Sequence, residues 1–184
     1  MDEAKFYRSA ISSGLILGVV FILYSMVLYV FEVNVISFGF GILNFVISIG
    51  IFVLVMLLAG KSVRNIHFGG YMAYKDAFIF TLVVGITGTV LYAIFAYFYY
   101  AFADLSYLQN QVDEFLFDMQ QRGMSESQLQ DLKKQMEEQF SATPISQVKT
   151  YLLLYSIMAV VLALLVSIFV KQNKPDYEEE ISEI

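Results

Sequence analysis

Four long stretches without a charged residue dominate the pattern of this chain. They cover residues 9–31, 33–60, 77–103 and 150–170, and contain 23, 28, 27 and 21 residues. The hydrocarbon core of a bilayer is about 30 Å thick, and a helix that rises about 1.5 Å per residue crosses it in about 20 residues. The pattern therefore predicts an integral membrane protein with four helical spans. We place these spans at about 9–31, 36–59, 77–102 and 151–170.

The polar segment between the third and fourth spans predicts two amphipathic helices. One apolar stripe at helical spacing comprises Leu108, Val112, Phe115 and Met119, and a second comprises Leu129, Leu132, Met136 and Phe140. Gly123 interrupts the two patterns, and Ser125 with Gln128 matches a capping box at the start of the second helix. We expect an antiparallel helical hairpin over 104–144.

The predicted fold class is all-α, a four-helix membrane bundle with an extracytoplasmic amphipathic hairpin between spans three and four. The chain forms a single membrane domain over 1–184, and its acidic tail, 175–184, is expected to be disordered. Asp104 and Ser106 are good N-cap residues, which favours a break after the third span. The alternative is one helix that runs from this span into the hairpin, since no Gly or Pro occurs between Gly88 and Gly123.

The distribution of Lys and Arg predicts the orientation. One side of the membrane holds Lys5, Arg8, Lys61, Arg64, Lys75, Lys171 and Lys174, and the other holds Arg122, Lys133, Lys134 and Lys149. The segment 61–76 carries three of these cations in 16 residues, whereas 104–149 carries four in 46. Positive charge accumulates on the cytoplasmic side of membrane proteins. Both termini are therefore predicted to be cytoplasmic.

The amino-acid composition excludes several kinds of metal site. The chain is 58% hydrophobic and 15% charged, and it has no cysteine and a single histidine, His67. Disulfides, thiolate metal sites and histidine-rich metal sites within one chain are thereby excluded, and no cofactor is expected. The segment 104–149 contains eight acids against four bases, which argues against a nucleic acid partner.

Small residues in the first span predict close helix packing. Ala10, Gly14 and Gly18 recur every four residues and share one helical face. Such a face lets another helix approach closely in lipid, where packing and polar contacts drive association. The packing is expected within the chain, and a homo-oligomeric contact is the alternative.

Three polar residues inside the spans are candidates for polar packing or for a ligand contact. Asn44 and Ser48 lie one turn apart in the second span, and Thr89 lies in the third. An unsatisfied polar group in hydrocarbon costs several kcal/mol, so the Asn44 amide is expected to face protein. An interhelical hydrogen bond is the first interpretation, and a substrate contact is the second.

No ionisable residue lies at membrane depth, and Glu32, Asp76 and Asp104 all sit at span ends. Ion-coupled transport and intramembrane catalysis usually need such a residue. We therefore do not expect an enzyme. Asp104 is interpreted as an interfacial residue, with a cation-binding site at the outer surface as the alternative.

The sequence resembles the family catalogued as domain of unknown function 4199. Three segments carry the resemblance: the opening from Tyr7 to Leu15, the entry into span three from Gly69 to Phe78, and the aromatic exit from Tyr97 to Asp104. The polar residues around Gly123-Met124-Ser125 complete it. The resemblance implies a small multi-pass protein of the bacterial inner membrane and no established activity.

Two functions follow from these features. The first is a non-catalytic membrane protein whose hairpin docks another membrane or extracytoplasmic protein. The second is a small homo-oligomeric carrier or lipid-handling protein, whose polar path would be formed by Asn44, Thr81, Thr87 and Thr89. In both, the lipid bilayer is the surrounding partner.

Orientation can be tested with a reporter enzyme that is active only outside the cytoplasm. Alkaline phosphatase fused after Gly123 should be active, and a fusion after Lys174 should be inactive, because the charge distribution places these positions on opposite sides. The reverse activities would contradict the predicted orientation.

Overall fold

A computed structural model describes residues 3–102, 105–140 and 143–174, and these ranges are built from helices. The helices are α1 (Glu3–Val30), α2 (Phe38–His67), α3 (Tyr74–Phe102), α4 (Leu105–Gln121), α5 (Glu126–Phe140) and α6 (Pro144–Val170). Of these, α1, α2, α3 and α6 are long and apolar enough to cross a membrane. The predicted all-α, multi-pass membrane fold is confirmed.

The four long helices extend beyond the uncharged stretches. The second span was placed at about 36–59, and α2 continues to His67. The fourth span was placed at about 151–170, and α6 begins at Pro144, since proline has no N–H and the first turn of a helix does not need one. A helix can be longer than the span within it, because long basic side chains reach the headgroups from a helical backbone.

Helix α3 is the centre of the bundle, packed along α1 on one side and α6 on the other. Glycines determine how closely α1 and α6 approach α3. A Cβ atom at Gly14 would lie 2.7 Å from the backbone oxygen of Val84, and one at Gly85 would lie 2.9 Å from the Cβ of Ala159. Neither distance accommodates a side chain. The glycines therefore allow α1 and α6 to approach α3 more closely than any other residue would.

One end of the bundle collects the start of α1, the end of α2, the start of α3 and the end of α6. We call it the basic end, because it carries Lys5, Arg8, Lys61, Arg64, Lys75, Lys171 and Lys174. Arg64 donates from Nη1 to the carbonyl oxygen of Val170 at 3.0 Å, which satisfies the last turn of α6. Met72 and Gln172 exchange two backbone hydrogen bonds, at 2.8 and 2.9 Å. These bonds fasten the basic end.

The opposite end carries α4 and α5. Gly123, at φ +89°, forms the turn between them. Ser125 and Gln128 form the capping box: the Ser125 N–H donates to Gln128 Oε1 at 3.1 Å, and the Gln128 N–H donates to Ser125 Oγ at 3.4 Å. The two helices pack against each other as a hairpin.

Two predictions fall outside the described residues. The first concerns Asp104, both its role and whether α3 continues through it into α4. The second is the disorder of the tail, 175–184.

The glycine packing predicts opposite results at two helix positions. Gly14→Ala should lower the free energy of unfolding by about 1–3 kcal/mol, because the new methyl group meets Thr87 and the Val84 carbonyl. Gly50→Ala meets nothing within 4 Å and should be neutral or raise stability by up to about 1 kcal/mol. Unfolding by titration with a denaturing detergent measures both. Equal effects at the two positions would contradict the close approach of α1 to α3.

Candidate ligand-binding cavity

A cavity of about 140 Å³ lies in the bundle at the end opposite the basic end. Residues of α1, α2, α3 and α6 form most of its wall, and Gln111 of α4 and Val35 of the α1–α2 loop complete the lining. Most of its wall is aromatic. The aromatic residues are Phe21, Tyr24, Tyr29, Tyr92, Phe95, Tyr99, Tyr100, Tyr151 and Tyr155. We call this space the tyrosine cavity.

Helical spacing brings the rings of α3 and α6 to the cavity. On α3, Tyr92, Phe95 and Tyr99 follow one another at intervals of three and four residues and therefore share a face. On α6, Tyr151 and Tyr155 are one turn apart. The Tyr155 ring lies 5.7 Å from that of Tyr92 and 5.8 Å from that of Tyr151, measured between centroids. These distances are typical of attractive aromatic pairs, so the wall supports itself.

Asn44 joins α2 to α1 at this wall. The Tyr24 hydroxyl donates to Asn44 Oδ1 at 2.8 Å. Ser48, which is also in the wall, donates from Oγ to the backbone oxygen of Asn44 at 2.8 Å. Asn44 thus makes a bond between helices and also lines the cavity, and its contact with a ligand stays a prediction.

Two further pairs of hydroxyls cross between helices. Ser25 Oγ on α1 and the Tyr92 hydroxyl on α3 are 3.1 Å apart, and the hydroxyls of Tyr100 on α3 and Tyr151 on α6 are 2.8 Å apart. In each pair one hydroxyl donates to the oxygen of the other, which links two helices inside an apolar bundle. These paired hydroxyls lie in the cavity wall.

Helix α4 reaches the cavity wall through Gln111, which is only 3% exposed. Gln111 Nε2 donates to the carbonyl oxygen of Val33 at 3.2 Å. Next to it, Asn34 Nδ2 donates to Glu114 Oε2 at 2.7 Å. These bonds fasten the hairpin to the loop that joins α1 to α2.

The amide oxygen of Gln111 is buried and has no hydrogen-bond partner among the residues that the structure describes. A buried acceptor without a donor costs about 1–3 kcal/mol. Gln111 is also the residue through which α4 contributes to the cavity wall. This makes Gln111 the main candidate for recognising a bound molecule.

The remaining predicted residues lie away from the cavity. Ala10, Gly14 and Gly18 are buried in α1; Gly14 lies against Thr87 and Gly18 against Leu91, both on α3. Thr89 is 2% exposed and does not line the cavity, and its hydroxyl is buried with no partner among the described residues.

Within one chain, the four residues named for the polar path of a homo-oligomeric carrier do not line one shared space. Thr81 donates to the backbone oxygen of Ala77 at 2.9 Å within α3, and Thr87 lies against Gly14. Only Asn44 of the set lines the tyrosine cavity.

Sequence reasoning treated the aromatic end of α3 only as the exit of a span, from Tyr97 to Asp104, and so missed the cavity. Tyr97, Phe98 and Phe102 do point outward, at 42%, 54% and 82% exposed. Tyr92 and Tyr99 line the cavity instead. Their helical spacing was the available signal, because residues that share one face of a helix can converge on one space.

The described residues contain no group of three or more His, Cys, Asp or Glu side chains that could hold a metal ion. The polar side chains of the cavity wall, Tyr24, Ser25, Asn44, Ser48 and Gln111 among them, are hydroxyls and carboxamides. Hydroxyls and carboxamides hold and orient a molecule by hydrogen bonds, and they carry no charge that a ligand would have to neutralise.

Residues 12–172 match the model of the family described as "Protein of unknown function (DUF4199)". No curated protein matches the chain. No solved structure matches it either.

The bond between Tyr24 and Asn44 can be measured by a double-mutant cycle. Tyr24→Phe and Asn44→Leu should be coupled by about 0.6–2 kcal/mol in the free energy of unfolding, since each substitution removes the same interhelical bond. As a control, Tyr24→Phe combined with Ser167→Ala at the basic end should be additive within about 0.5 kcal/mol. Additive effects in the first cycle would show that the bond does not contribute.

Proposed function

Because the chain belongs to a family of unknown function, DUF4199, we propose a function from its geometry: a non-catalytic membrane protein that binds a small molecule in the tyrosine cavity. The observation that carries the proposal is a partly enclosed, mainly aromatic space between the helices with a few placed polar groups. Ligand sites in helical bundles have this character. The hairpin is assigned the role of a lid.

The absence of catalysis is part of the proposal. General acid–base catalysis near neutral pH uses groups such as histidine or carboxylates within hydrogen-bond reach of the substrate. The residues that line the cavity include neither, and tyrosine is the only residue type among them that serves as a general acid or base in enzymes. This supports a binding role over a chemical one.

The orientation follows from the charges and is likewise proposed. The basic end, with both termini, faces the cytoplasm of a bacterial inner membrane. The tyrosine cavity and its lid then lie at the extracytoplasmic side. A ligand enters from that side or from the outer leaflet of the bilayer.

A second candidate is docking of an extracytoplasmic or membrane protein by the hairpin. The sequence supports docking through the apolar stripes of α4 and α5. In the α4 stripe, however, Val112 and Met119 are only 5% and 9% exposed, and the described members of the α5 stripe are half-buried. The stripes are thus used within the protein. One observation still favours docking: Phe117 is 61% exposed on α4. The lid role rests on more contacts, and we prefer it.

A single introduced cysteine tests whether small molecules reach the cavity, because the chain has no cysteine of its own. Ser25→Cys, in lipid nanodiscs, should react with methyl methanethiosulfonate. Adding Ala96→Leu, which places a larger side chain in the cavity wall, should slow the reaction by about tenfold or more.

The matched control is Ala93→Leu on the same helix, at a buried position outside the cavity wall. It should leave the rate nearly unchanged. Thermal unfolding confirms that each variant is folded. If Ser25→Cys stays unreactive while the exposed Ser127→Cys reacts, small molecules do not enter the cavity and the proposed function is wrong.

A further inference from the structure

The size and wall of the tyrosine cavity restrict what it can hold. Its volume of about 140 Å³ is close to the roughly 150 Å³ of an engineered cavity that binds benzene. The walls are ring faces and edges, which pair favourably with another flat ring. A molecule of about one aromatic ring fits both properties.

Charge restricts the ligand further. No side chain that lines the cavity is charged, and the nearby carboxylate of Glu114 is already bonded to Asn34. An ion moved into an apolar site without a partner carries a large desolvation cost. A caged quaternary ammonium is the exception that aromatic walls allow. However, such a cation has no hydrogen to donate.

The polar groups decide between a cation and a neutral ring. The hydroxyl of Tyr24 is bonded to Asn44, and that of Tyr92 to Ser25. The Gln111 amide oxygen has no partner among the described residues, and as an acceptor it requires a donor. The terminal torsion of a glutamine is soft, so a small rotation can turn this oxygen towards a ligand.

On the basis of the proposed function, we infer that the ligand is a neutral molecule of about one aromatic ring that carries a hydrogen-bond donor, as a phenol does. The ring occupies the space between α1, α3 and α6. Its hydroxyl or amino hydrogen is donated to Gln111 Oε1. Because Gln111 belongs to the lid, the same bond holds the hairpin closed over the bound molecule.

Two isosteric probes test this chemistry: 4-fluorophenol and 4-fluorotoluene, which differ by a hydroxyl against a methyl group. Their binding to the full chain in nanodiscs is followed by fluorine NMR, with empty nanodiscs correcting for partition into lipid. We expect 4-fluorophenol to bind about tenfold more tightly, which corresponds to about 1.4 kcal/mol. In Gln111→Leu this preference should disappear while both probes still bind. Ala96→Leu should weaken both probes, and Ala93→Leu neither.

Failure of the inference is distinguishable from failure of the proposed function. Equal affinity for the two probes, or tighter binding of tetramethylammonium than of 4-fluorophenol, would overturn the ligand class while leaving the cavity as a binding site. A preference for 4-fluorophenol that survives in Gln111→Leu would overturn the assigned role of Gln111. If neither probe binds and Ser25→Cys is also unreactive, the cavity itself is not a site.

Discussion

The fold depends on the close approach of α1 to α3 at Gly14. In lipid, apolar side chains gain nothing by leaving one hydrocarbon environment for another, so helices associate through tight packing and polar contacts. The backbone oxygen of Gly14 lies 3.1 Å from where a Cβ atom of Gly88 would stand, so that the two glycines face each other across the contact. This contact fixes the position of α1 on the central helix.

Bulky rings replace small residues towards the other end of the same helices. Tyr92 and Tyr155 are in contact with each other, and neither leaves room for the backbones to meet. The tyrosine cavity lies among these rings. The loop at Val33 and Asn34, which follows α1, provides the attachment for α4. Glycines thus accompany the tight contact of α1 with α3, and aromatic rings line the cavity.

The sequence predicted the elements better than their relations. The length of the uncharged stretches predicted the four spans, and the capping box of Ser125 and Gln128 predicted the start of α5, because both signals are local. Gly14 and Gly18 gave a packing face but not its partner. The cavity depends on which tyrosines of α3 face α6, and on Gln111 reaching Val33 across 78 positions of sequence. Contacts of this kind are set by helix rotation and docking, which periodicity in a single helix does not specify.

Solid-state NMR on the protein in lipid bilayers tests most directly whether α4 closes the cavity. The Gln111 side-chain nitrogen lies 3.2 Å from the Val33 carbonyl oxygen, and therefore about 4 Å from the carbonyl carbon. With ¹⁵N in glutamine side chains and ¹³C in valine carbonyls, a dipolar coupling of that distance should be present and should vanish in Gln111→Leu. If the wild-type protein and Gln111→Leu give the same couplings, the hairpin is not held over the cavity.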